Sequence, residues 1–128
     1  MSDTFATIAN MPVLICASDG EKLKSERDVL DMIGEAMYSH TELIIIPVER
    51  FEADFFQLKT GLAGNIIQKF VTYRRRLVIL GDISHYVVQS RAFKDFVYET
   101  NRGNQVWFMA DIQELEERLK QALSSDLS

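Results

Sequence analysis

"LIIIPVERFEADFFQLKTGLAGNIIQKF", residues 43–70, decides the fold. Its opening, "ELIIIPV" with Glu42 included, has the continuous apolar, β-branched composition of a strand buried on both faces. Its end is a helical pattern entered at Thr60 or Gly61 and running to about Tyr73, with Ala63, Ile66, Ile67 and Phe70 on one side. Between them, "ERFEADFFQLK" reads as a short helix or turn carrying Phe51, Phe55 and Phe56. A two-sided apolar strand followed by an amphipathic helix is one βα unit of a parallel sheet.

The flanking sequence repeats the unit. Downstream, "RLVILG" is a second buried strand, and after "DISHYVVQ" a helix runs from about Ser90 to Thr100 and buries Phe93, Phe96 and Val97. "QVWFMA" is the last strand, with Trp107 and Phe108 in the core. A capping box at Asp111 and Glu114 then opens a final helix with Ile112, Leu115, Leu119 and Leu123 facing inward. Upstream, "FATIAN" and "PVLICAS" are two short strands hinged near Asn10-Met11-Pro12, and "SDGEKLKS" is a polar turn. Ser25 caps the next helix with Asp28 at its third position, and Val29, Ile33, Ala36 and Met37 form its apolar stripe. The order β-β-α-β-α-β-α-β-α predicts a single α/β domain, 1–128 with its core over about 5–123. Its five-stranded sheet is mainly parallel, with the first strand as an antiparallel edge.

At 128 residues, 47% hydrophobic and 26% charged, the chain is sized for one core. No apolar run reaches bilayer length, "MSDTFATIAN" has no export pattern, and a single cysteine suits a reducing compartment, so the expected location is the cytoplasm. Cys16, in "VLICA", reads as a core residue. Two histidines and one cysteine far apart give no metal-ligand spacing, and no cofactor is expected. The net charge of −5 argues against a nucleic-acid partner. The charge is uneven: residues 1–56 carry 4 basic and 11 acidic side chains, residues 57–102 carry 8 and 3, and residues 103–128 carry 2 and 5.

Three stretches, "FFQLKTGLAGNIIQKF", "YRRRLVILGD" and "ETNRGNQVWF", occur in an order that resembles the bacterial domain-of-unknown-function family 4180, from about Ile8 to Leu123. The resemblance implies a cytoplasmic α/β domain similar to the anti-sigma-factor-antagonist (STAS) group, with no established activity. STAS domains carry a signalling Ser or Thr at the start of the helix after the third strand, which makes Thr60 a candidate phosphoacceptor. Lys59 stands where those domains have an acidic residue.

Ligands of open parallel sheets sit at the carboxyl ends of the strands. Those ends here are Ser18-Asp19-Gly20, Pro47 to Arg50, Gly81-Asp82 and Ala110-Asp111. Lys59, Thr60, Gly61, Gly64 and Asp82 are therefore the candidate ligand- or partner-binding residues. Thr60 as a plain helix cap, and glycines serving close helix–sheet packing, account for the same stretch without a ligand. At the opposite edge, Arg74, Arg75 and Arg76 with Arg102 form a candidate anion cluster, or else complement helix C-termini with Gly103 as a left-handed terminator. Asp82, Ser84 and His85 lack the elbow of a nucleophilic triad. The sequence thus points to a non-enzymatic regulatory or protein-interaction module, with a protein partner or a second copy of the chain. The alternative is a small-molecule, nucleotide or anion-binding protein, an enzyme included, that uses Thr60–Gly64. A concave, polar-rimmed pocket beside Thr60 separates the second class from the first.

Overall fold

The computed structural model describes residues 3–127, with side chains through Ala122, so the expectation for the Leu123 side chain falls outside the described residues. The strands are β1 Thr4–Ile8, β2 Met11–Ile15, β3 Leu43–Pro47, β4 Arg76–Leu80 and β5 Val106–Met109. The helices are α1 Glu26–Tyr38, α2 Leu62–Thr72, α3 Ser84–Gln89, α4 Arg91–Asn101 and α5 Ile112–Leu127. Three 3-10 turns, Val48–Arg50, Ala53–Phe56 and Leu58–Thr60, connect β3 to α2.

The strands form one sheet in the order β1-β2-β3-β4-β5. β1 pairs with β2 antiparallel, and β2 through β5 are parallel. The single α/β domain expected from the sequence is the one observed, with "LIIIP" at the centre of the sheet. Sequential order has a physical consequence. Right-handed crossovers between neighbours put every connecting helix on the same face. One core accordingly joins Ala36 of α1, Ile66 and Phe70 of α2 and Phe93 of α4 to Leu14, Ile44, Ile46, Leu77 and Ile79 of the sheet. The other core packs Leu115 and Leu119 of α5 on Val13, Leu43, Ile45, Val78 and Trp107. The parallel strands have no order reversal between them, so the usual crevice at such a reversal is absent, and cavities form instead where connections fold over the carboxyl ends.

Local details depart from the sequence reading in instructive ways. The hairpin turns at Ala9-Asn10, both in the left-handed region at φ 49° and 66°, and Ile8 pairs with Met11. This is the twisted two-residue connection that hairpins favour. Gly103 is not a left-handed terminator; those positions are His40 (φ 58°) and Arg74 (φ 54°). Each follows a helix whose carbonyls are closed in the same way. Thr41 N–H donates to Ala36 O and His40 N–H to Met37 O, while Arg75 N–H donates to Phe70 O and Arg74 N–H to Val71 O. Ser25 makes no side-chain cap; the contact runs backward, with Lys24 N–H donating to Asp28 Oδ2 at 2.9 Å. Ser90 and Asp111 do cap, accepting from Phe93 N–H and Glu114 N–H. The segment "DISHYVVQ" contains the short helix α3, started by Ser84 N–H donating to Asp82 Oδ1 at 2.9 Å.

Candidate functional site

The segment 51–60 explains the phenylalanines of the opening stretch. Phe51, Phe55 and Phe56 are all buried, with Phe51 and Phe55 centroids 4.2 Å apart. The Phe56 ring stacks on Tyr86 of α3 at 3.9 Å and 8°, and its edge meets Phe93 of α4 at 5.7 Å. The segment is thus pinned to α3 and α4 by aromatic contact.

Between the segment and those helices lies a cavity of ≈ 740 Å³, in the size range of small-molecule sites. Phe56, Tyr86, Leu58 and the two alanines Ala53 and Ala92 give it apolar walls; Gln57, Lys59, His85, Gln89 and Ser90 supply polar groups. The Gln89 amide nitrogen is 3.2 Å from His85 Nε2, and the His85 ring sits edge-on to Tyr86 at 5.4 Å. Lys59 is exposed, and no salt bridge within the described residues engages it.

Thr60 does not line this cavity; it shapes the segment that does. Its hydroxyl donates toward Asp54 O at 2.7 Å and Gln57 O at 2.9 Å, and accepts from Leu62 N–H at 3.3 Å. The residue at the helix boundary is Gly61, held at φ 78°, where a β-carbon is strained. Thr60 therefore closes the last 3-10 turn as a donor, and the plain-cap account of it does not hold. Gly64 is exposed and a Cβ there would meet nothing within 4 Å, so close helix–sheet packing does not account for it.

Asp82 stands on the far side of α3. With Ser84, Asn101 and Glu114 it lines a separate, mostly apolar cavity of ≈ 410 Å³. The Ser84 backbone N–H, and then its side chain, hold the Asp82 carboxyl below its ordinary range. Lys59 and Asp82 thus line different hollows.

The arginines divide as well. Arg76 lies over the Trp107 ring at 4.7 Å, and Arg118 lies over the same ring at 4.1 Å. Arg118 Nη2 also donates to Asn101 O, and Trp107 Nε1 donates to Gly103 O at 2.7 Å. Burial, then the Arg76 charge, lowers the Arg118 pKa. Arg102 pairs instead with Glu99 at 3.7 Å, over Tyr98 at 5.8 Å. Arg75 Nη1 donates to Arg74 O at 3.2 Å, and its buried Nε has no partner among the described residues. Arg118, which the charge pattern did not suggest, is the arginine that shares Trp107 with Arg76.

Arg50 was also missed as an individual. It is 8% exposed, donating Nε to Glu21 O at 2.7 Å and Nη1 to Ala17 O at 2.8 Å. It ties the β2–α1 loop to the end of β3 and lines a cavity of ≈ 680 Å³ rimmed by acidic residues, among them Asp28, Asp31 and Glu35. Its hydrogen bonds to carbonyls and that acidic rim make it a structural clasp. Cys16 is buried beside it, with Sγ 3.6 Å from Met32 Sδ; burial first, then the Asp3 charge, pushes the thiol up to about 12. Such a thiol is not a nucleophile at neutral pH. No group of three or more His, Cys, Asp or Glu among the described residues could hold a metal ion, and no described helix is long and apolar enough to cross a membrane.

Neither the curated proteins nor the solved structures contain a match to this chain. The family model described as Domain of unknown function (DUF4180) matches residues 8–119, most of the length, and the chain belongs to that family.

Proposed function

We propose that the protein is a non-catalytic binding module, STAS-like in organisation, which takes a small anionic ligand with a flat apolar body in the hollow between segment 53–59 and α3. The observation that carries the reading is the pairing, in one hollow of ≈ 740 Å³, of the stacked Phe56–Tyr86 wall with the exposed cation of Lys59 and the His85–Gln89 pair. A flat apolar body packs on aromatic walls, and a carboxylate or phosphate is held by an ammonium and amide donors. A polar-rimmed hollow beside Lys59 and Thr60 is the feature that favours a ligand over a flat docking surface. In this reading Thr60 acts as the clasp that shapes the segment rather than as a phosphoacceptor. Regulation follows from position: α3 separates the two hollows, so a ligand bound on one side bears on the Asp82 side of the same helix.

The absence of catalysis in this reading rests on the side chains available. Cys16 is held protonated by burial, and Asp82 is turned to the Ser84 N–H across α3 from Lys59. The test is a thermal-shift screen with nucleotides and phosphorylated or carboxylated aromatic metabolites. The expected result is a stabilising compound class whose effect is lost in Lys59→Glu and Tyr86→Ala. A hit that stabilises both variants as well as wild type would contradict the placement, and turnover of the hit by the wild-type protein would contradict the non-catalytic role.

A further inference from the structure

The two edges of the sheet are treated differently. At β5 the side chain of Asn101 acts as a substitute strand: Phe108 N–H donates to Asn101 Oδ1 at 2.6 Å, and Asn101 Nδ2 donates to Phe108 O at 3.3 Å. At β1 no described residue plays that part. The pairing of β2 identifies which groups are left. Cys16 N–H donates to Ile45 O, so Leu14 and Pro12, of the same parity, also turn their backbone toward β3. Met11, Val13 and Ile15 therefore bond to β1, through their partners Ile8, Ala6 and Thr4. The N–H and C=O groups of Phe5 and Thr7 point outward from the sheet. Proteins blunt such edges with lysine, proline or a bulge. β1, Thr-Phe-Ala-Thr-Ile, contains none of these and carries no charge.

We propose that β1 is a homodimer edge, pairing antiparallel with β1 of a second copy about a two-fold axis at Ala6. The donor pattern selects this register. Outward groups at positions 5 and 7 match only outward groups of the other copy, and an axis at Ala6 sets Phe5 against Thr7 of the other copy and Thr7 against its Phe5. Four backbone hydrogen bonds form, and the result is a continuous ten-stranded sheet. An axis at Phe5 or Thr7 aligns fewer strand residues. The side chains agree with the register. Phe5 is 52% exposed although it stands opposite the buried Leu14. The two-fold places each Phe5 beside Thr7 of the other copy and diagonal to its Phe5, within reach of an aromatic ring. A second copy fits better than an unrelated strand because the pattern is self-complementary.

A five-residue edge is at the small end of specific interfaces, below about 1,200 Å², so the dimer is concentration-dependent. Sedimentation velocity of the full chain from about 1 to 500 μM tests it. The expected result is a wild-type weight-average mass that climbs from 14.7 kDa toward twice that value. Thr7→Pro removes only outward N–H groups and weakens the dimer at least about tenfold, through two lost hydrogen bonds. Phe5→Lys, at an exposed position, places charges across the axis and does the same. The proposal is overturned if wild type stays at 14.7 kDa throughout. It is equally overturned if either variant, folded by its far-ultraviolet spectrum, dimerises as well as wild type.

Discussion

Replacing Thr60 with aspartate tests what the hydroxyl does. An N-cap accepts a hydrogen bond, and aspartate does that as well as threonine, so a plain cap predicts a Thr60→Asp variant as stable as wild type. The observed hydroxyl is a donor first, with its proton shared between Asp54 O at 2.7 Å and Gln57 O at 2.9 Å. The Leu62 N–H it accepts is farther, at 3.3 Å. A net hydrogen bond contributes about 1 kcal/mol, and the exposed carbonyls find water when the donor is lost. Thr60→Val, which keeps the shape, therefore costs about 1 kcal/mol. Thr60→Ser keeps the donor and costs about 0.3 kcal/mol. Thr60→Asp has no proton to share at pH 7, and its carboxylate must turn from two carbonyls. The lost donor and the carboxylate set against two carbonyls together cost about 1.5–2 kcal/mol, of which the helix terminus returns about 0.3–1 kcal/mol, so a net loss near 1 kcal/mol remains. In a chain of this size 1 kcal/mol is about 3–5 °C in Tm, which circular dichroism at low salt reads directly. An aspartate variant as stable as wild type, or a serine variant as weak as valine, refutes the donor role.

Left-handed residues without glycine should be improvable. Ala9→Gly and His40→Gly each remove an αL penalty of about 1–2 kcal/mol, partly offset by glycine's chain entropy, and should raise urea-melt stability by about 0.5 kcal/mol apiece. Gly20→Ala should lose about 2 kcal/mol, because its Cβ would stand 2.5 Å from the Arg50 guanidinium carbon and push it off its carbonyls. In an Arg50→Ala background the same change should cost little, and a double-mutant cycle in denaturant reads the coupling. Cys16 sets an alkaline signature. Its folded pKa is raised to about 12 from 9.0, so its contribution is whole below pH 9 and is lost as pH rises toward 12, where the unfolded thiol ionises first. Cys16→Ala should flatten the fall of stability between pH 9 and pH 11 in urea titrations, and an unchanged slope would contradict the burial argument.

Strands and long helices were legible because burial on one or two faces leaves a periodic apolar record. Ile44 to Ile46 and Leu77 to Ile79 are buried on both sides, and Ala63, Ile66 and Phe70 keep helical spacing. A cap was legible where an oxygen meets its own helix, as at Asp111. The misses share a cause. His40 and Arg74 take left-handed terminators without glycine because the Schellman bonds and the next strand fix the turn, and no residue type records that. Thr60 can donate or accept, and only the fold of 54–57 beneath it chooses. Arg50 acts on backbone carbonyls far away in sequence, and Asn101 acts on Phe108 across the turn into β5, outside any helical or strand period, so neither leaves a local pattern. Of the residues lining the candidate hollow, the sequence singled out Lys59 from its helix entrance, but the hollow needs α3, and α3 brings in His85, Tyr86 and Gln89 while turning Asp82 to its other side.

The most direct measurement is a backbone amide chemical-shift map of the isotope-labelled protein, titrated with the strongest stabilising compound from the screen. Binding in the proposed hollow predicts saturable shifts concentrated at residues 53–59 and 85–92, lost in Lys59→Glu. Shifts concentrated at 20–31 around Arg50, or at 74–76 and 102, would contradict the account.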